Sequence, residues 1–135
     1  MFSSWVNRHL KPKPRRTVTR RRIFSHSRLH YLAHKEEARR SILPRLAHFA
    51  ALVNVEYKRV FIKNQRSRWG SCSEKGNLNF NYRLALLPEE LMDYVIVHEL
   101  CHLAEFNHSP KFWQKVGIVM PNYKELRLKL KKINP

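Results

Sequence analysis

Between residues 27 and 52, apolar side chains return at helical spacing: Leu29, Leu32, Ala33, Ile42, Leu46, Phe49 and Ala50. The spacing predicts a helix from about Ser27 to Leu52 with one stripe turned to a core. Pro44 lies inside it, lacks an N–H and crowds the turn before it, so a kink or break is expected there. Lys58–Lys63 alternates well enough for a strand, and Asn64–Gly76, rich in Ser, Arg and Gly, reads as a loop. Asn77–Tyr82 sets Leu78, Phe80 and Tyr82 against three asparagines, which predicts a second strand antiparallel to the first. Pro88 opens a helix to about Phe106. Leu91, Met92, Val95, Ile96, Val97, Leu100 and Leu103 cover nearly its whole circumference, the mark of a buried helix. Ser109-Pro110 caps another through Val116, and a last helix starts at Pro121 with Leu126, Leu130 and Ile133. These elements predict an α+β domain, a small antiparallel or mixed sheet packed on a buried helix, with further helices at the C-terminus.

Charge divides the chain. Of 27 basic residues, ten precede the first acid, Glu36, so +10 of the formal +17 falls on the first quarter. Residues 1–25 read as a basic arm, extended at Lys11-Pro-Lys-Pro-Arg-Arg16, with a short strand suggested by Thr17-Val-Thr19 and Ile23-Phe24. Residues 26–135 read as the domain. The arm's field attracts polyanions, so nucleic acid is a candidate partner. Its Arg- and Ser-rich composition also suits a transit peptide, but Pro12 and Pro14 break the amphipathic helix that role needs. A chain of 135 residues excludes a two-lobed enzyme with separate cofactor and substrate domains. Two cysteines exclude a disulfide scaffold, no apolar run is long enough to span a membrane, and a cytoplasmic protein is expected.

The polar exceptions on the buried helix spell His98-Glu99-Leu100-Cys101-His102. Histidines four apart lie one above the other on a helix face and can share one Zn²⁺. The glutamate beside the first can take a proton from the water that zinc activates. A third ligand is supplied by His108, six residues past His102, if the chain turns back; Asn107 tolerates the left-handed conformation that such a turn uses. Cys101 is out of register and reads as packing. His26, His30 and His34 also recur every fourth residue, but with no acid beside them they read as one face of an exposed helix.

Substrate contacts are less specific. Arg68 offers a fixed cation and Trp69 a flat apolar face in the Arg68–Cys72 turn. The asparagine face of the second strand, Asn79 included, can pair with a peptide along its edge. Tyr82, Tyr123 and Arg68 are candidate donors to a tetrahedral oxyanion.

Arg68-Trp-Gly-Ser-Cys72, Asn77-Leu-Asn-Phe-Asn81, Tyr94 to His102, Asn107-His-Ser109 and Phe112-Trp113 together resemble the YgjP-like metallopeptidase family over about residues 30–133. That family is similar to the SprT and Wss-type zinc proteases. The resemblance implies a compact minigluzincin-like fold, zinc on His98, His102 and His108, and Glu99 as general base. It favours Arg68 and Trp69 as site-lining residues and a peptide or protein as substrate. Two rivals share the metal site: a nucleoside triphosphate pyrophosphatase of the UTP type, and a DNA-associated protease or binding module guided by the basic surface. Typical members carry a longer, β-rich N-terminal portion, which is shrunken here to the basic arm.

Overall fold

The computed structural model describes residues 27–135. The arm, its suggested strand and His26 lie outside the described residues.

Helix α1 (Arg28–Val53) begins at Ser27, whose Oγ accepts from the N–H groups of Leu29 and His30, and ends at Asn54 in the left-handed conformation, φ 60°. It runs unbroken through Pro44, so no break occurs there. Pro44 and Arg40, whose carbonyl loses its partner, both face outward, where water can replace the missing bond. The buried stripe is Ala38, Ile42, Leu46, Phe49 and Ala50. Leu29 and Leu32, expected in that stripe, are 79% and 55% exposed. The first turns reach the body through Tyr31 instead, whose hydroxyl donates to the Ile62 carbonyl at 2.7 Å.

Among the described residues the sheet holds three strands, not two: β1 (Val60–Lys63), β2 (Gly70–Cys72) and β3 (Leu78–Asn81), in the order β1-β3-β2. β1 pairs parallel to β3, from Val60 opposite Leu78 to Lys63 opposite Asn81, so the antiparallel pairing expected for these two strands is wrong. The antiparallel partner is β2, hidden in what reads as loop: three residues are too few to display a period. A tight turn joins β2 to β3. Ser73 N–H donates to the Asn77 carbonyl, Asn77 N–H to Ser73 Oγ, and Gly76 takes φ 86°, which costs glycine nothing. β3 is thus the central strand.

A 3-10 helix (Tyr82–Leu86) leads into α2 (Glu89–Ala104), followed by α3 (Pro110–Val119), capped by Ser109 Oγ, and α4 (Tyr123–Lys131). Helix α2 packs against α1, β2, α3 and α4, and eleven of its residues are buried. Its one buried acid away from the histidines, Asp93, is held by the Arg45 guanidinium of α1 through both carboxylate oxygens, which satisfies the charge that burial would otherwise penalise.

Leu46 is fully buried in the core that α1 contributes, whereas Leu29 is not. Leu46→Ala is expected to lower unfolding free energy by about 2–5 kcal/mol, and Leu29→Ala by less than about 0.5 kcal/mol, in urea titrations. Equal effects would contradict this placement of the core.

Candidate metal centre

Helical spacing stacks His98 and His102, and their Nε2 atoms lie 3.1 Å apart. The chain then leaves the helix at Glu105, in extended conformation with φ −137°. The left-handed turn expected at Asn107 is absent: among the described residues, positive φ outside glycine occurs at Asn54 alone. Glu105 makes the reversal instead, and its carbonyl accepts from His102 Nδ1 at 3.0 Å. Ser109 starts α3 at once, and His108, just before it, comes to rest with Nε2 3.0 Å from His102 Nε2 and 3.3 Å from His98 Nε2.

A proton on His102 Nδ1 leaves its Nε2 as a lone pair facing inward. Burial, then the neighbouring imidazoles His102 and His108, push His98 down to about 3; burial likewise lowers His102. His98 is therefore neutral near pH 7. Three nitrogens around a tetrahedral ion at 2.0–2.1 Å would stand about 3.3 Å apart. The observed triangle fits that spacing, and His98, His102 and His108 are the group of three such side chains, among the described residues, that can hold a metal ion. Helix α3 fixes the rings: Phe112 stacks on His102 at 4.3 Å and Trp113 on His108 at 5.8 Å. Cys101 is fully buried, and burial pushes its thiol up to about 11, so it stays a protonated packing residue.

Glu99 is 7% exposed. Burial pushes its carboxyl up to about 7, against the pull of Arg68. Gly70 of β2 passes so close that a Cβ there would meet Glu99 Cγ at 3.1 Å, the Asn79 carbonyl at 3.2 Å and Val95 Cγ1 at 3.3 Å. The strand reaches the glutamate only because residue 70 has no side chain.

A cleft of about 520 Å³ opens beside His98 and Glu99, lined also by Arg68, Trp69, Tyr94, Arg127 and residues 133–135. Of the candidate substrate residues, Arg68 and Trp69 line it; Asn79, Tyr82 and Tyr123 do not. Tyr82 is 1% exposed and its hydroxyl lies 2.7 Å from His30 Nδ1, so it belongs to the core. Asn79 sits on the central strand, whose two edges are taken by β1 and β2, which leaves a peptide no edge there. Tyr123 stacks on Trp113 at 5.3 Å. His30 and His34, read as an exposed face, are half-buried and stack on each other at 4.1 Å.

Several residues of the site were not singled out from the sequence. Asn81 Nδ2 donates to the carbonyls of Gln65 and Arg68, at 2.6 and 2.9 Å. Arg83, fully buried, donates to Gln65 O at 2.9 Å, Asn81 Oδ1 at 3.2 Å and Asn64 Oδ1 at 2.7 Å. This pair bolts the 64–68 loop to the end of β3 and so places Arg68 and Trp69. The available signal was an Asn-x-Arg pair inside an otherwise apolar stretch. Tyr94 had a helical signal too, one turn before His98.

A family model for the YgjP-like metallopeptidase domain matches residues 4–133. The chain belongs to the YgjP-like metallopeptidase family. The match begins within the arm that the charge pattern set apart. Two solved structures resemble it: the metallopeptidase zymogen abylysin of Pyrococcus abyssi, 27% identical, TM-score 0.61, covering 66% of this chain and 90% of that one; and the metallopeptidase zymogen jannalysin of Methanocaldococcus jannaschii, 26% identical, TM-score 0.60, covering 67% and 94%. No curated protein matches the chain. This YgjP-like chain is therefore a peptidase that works with a metal ion, built on a small α+β minigluzincin-like fold. No helix among the described residues is long and apolar enough to cross a membrane.

The close approach of Gly70 makes it a sensitive probe. Gly70→Ala pushes against the Glu99 side chain and is expected to keep the metal content while lowering kcat about tenfold or more, since small displacements of a reacting group are costly. Unchanged kcat would mean that Glu99 is not held by this contact.

Proposed function

We propose that the protein is a zinc peptidase in which His98, His102 and His108 hold the ion and Glu99 is the general base. The observation that carries this reading is the triangle of Nε2 atoms, 3.0–3.3 Å on a side, with a buried glutamate next to one corner on the same helix. Zinc, when bound, supplies Lewis-acid polarisation of the scissile carbonyl and a water that is acidic near neutral pH.

The chain's own residues do the rest. Glu99, with its carboxyl up to about 7, takes the proton of the attacking water and returns it to the leaving amine nitrogen, a cycle that needs a group near the working pH. The Glu105 carbonyl keeps His102 in the tautomer that turns Nε2 inward. The substrate backbone pairs with the edge of β2 that no strand takes among the described residues, beside Glu99, rather than with β3. Trp69 gives the bound peptide an apolar wall. The enzyme works in the cytoplasm, where Cys72 and Cys101 stay free thiols. The three glycines, Gly70, Gly76 and Gly117, form no phosphate-cradling loop for a nucleotide pyrophosphatase, and the basic arm that suggests DNA lies outside the described residues.

Glu99→Gln removes the base and keeps the shape. It is expected to retain the metal and to lower kcat on an unfolded protein substrate by about 10²- to 10⁴-fold. Turnover at the wild-type rate in a metal-loaded Glu99→Gln protein would refute the mechanism.

A further inference from the structure

The cleft beside the histidines is rich in positive charge, with Glu99 and the chain-terminal Pro135 also in its lining. Three cations line it: Arg68 from the loop before β2, and Arg127 and Lys131, one turn apart on α4. The acidic side chain in its lining is Glu99, already committed to proton transfer. Other acids nearby are engaged elsewhere: Glu125 pairs with Lys129, and Asp93 and Glu89 pair with Arg45. Neither Arg68, Arg127 nor Lys131 makes an ion pair among the described residues.

Arg127 is also held in place. Its guanidinium lies over the Trp113 ring, 4.8 Å from the centroid, and Trp113 also stacks on Tyr123 and on His108. One aromatic platform thus ties the third histidine to the cation. Arg127 is close enough for its charge to bear on both Tyr94 and His98. A guanidinium fixed over an aromatic face loses little freedom on binding, and its fork matches the two oxygens of a carboxylate.

From this placement we infer that Arg127, with Arg68 and Lys131, binds a carboxylate of the peptide substrate next to the scissile bond. The inference rests on the peptidase reading of the same site and narrows it: the preferred peptides carry negative charge beside the cleavage point. An Asp or Glu side chain and a chain-terminal carboxylate present the same two oxygens. Arg127 sets specificity here by touching substrate; the proton transfer stays with Glu99.

Binding tests this without turnover. Metal-loaded Glu99→Gln protein is titrated, by fluorescence anisotropy, with three labelled hexapeptides of matched sequence: one neutral and C-amidated, one amidated with an internal Glu, one neutral with a free C-terminal carboxylate. At least one carboxylate peptide is expected to bind about tenfold or more tightly than the neutral one, as charge-assisted contacts do. Adding Arg127→Gln should bring that ratio close to one, and Arg127→Lys should restore part of it. The first carboxylate arm to respond identifies the source. In the enzyme with Glu99 intact, kcat/KM should follow the same order. Equal binding of all three peptides, or a preference that survives Arg127→Gln, overturns the inference. UTP that competes more strongly than either carboxylate peptide, and does so through Arg127, overturns it as well, by making phosphate the ligand. Carboxylate-selective binding with no hydrolysis of any peptide by the intact enzyme supports the cleft assignment and refutes the peptidase reading instead.

Discussion

Three imidazole nitrogens stand 3.0–3.3 Å apart, close to the spacing that three ligands of one tetrahedral ion would share. Most of the fold serves to hold them there. Two come from successive turns of α2, a helix that neighbours cover on nearly every side. The third is brought back by the extended Glu105 and pinned by the start of α3, whose Phe112 and Trp113 stack on the rings. The same burial that keeps His98 neutral lifts the Glu99 carboxyl toward neutral pH. One packed helix therefore sets the protonation of both side chains.

The second constraint acts from the sheet side. β2 is only three residues long, yet its Gly70 lies against Glu99 and the loop before it carries Arg68 and Trp69. Such a short strand cannot fix a loop by itself. Asn81 and Arg83 do so from the end of β3, with hydrogen bonds to Asn64, Gln65, Arg68 and each other. Buried polar groups of this kind are costly unless fully partnered, and when partnered they specify one arrangement. The cleft between this loop and α4 joins the reaction centre to a cationic wall.

Long, strongly patterned elements were legible in the sequence. The apolar circumference of α2 marks it as buried, and the i, i+4 histidines and His108 stand out against it. Short and non-local features were not. β2 has too few residues for a period, and the parallel pairing of β1 with β3 depends on β2 returning on the far side. Asn79 is hidden for the same reason, since without the third strand β3 looks like an edge, whereas Tyr82 is covered by α1 through His30 and Tyr31, a contact distant in sequence. Arg127 resembles any basic residue on an amphipathic helix until Trp113 is seen beneath it. The cost of a helical proline depends on whether water can reach the orphaned carbonyl, and both Arg40 and Pro44 are exposed.

The central claim is that the histidine triangle holds one zinc ion. Zinc-edge X-ray absorption of the purified protein, together with its zinc content, tests it most directly. The account predicts one zinc per chain with a first shell of nitrogen and oxygen only, imidazole nitrogens at about 2.0–2.1 Å, and loss of the ion in His102→Ala. Sulfur at about 2.3 Å, or zinc retained in full by His102→Ala, would contradict it.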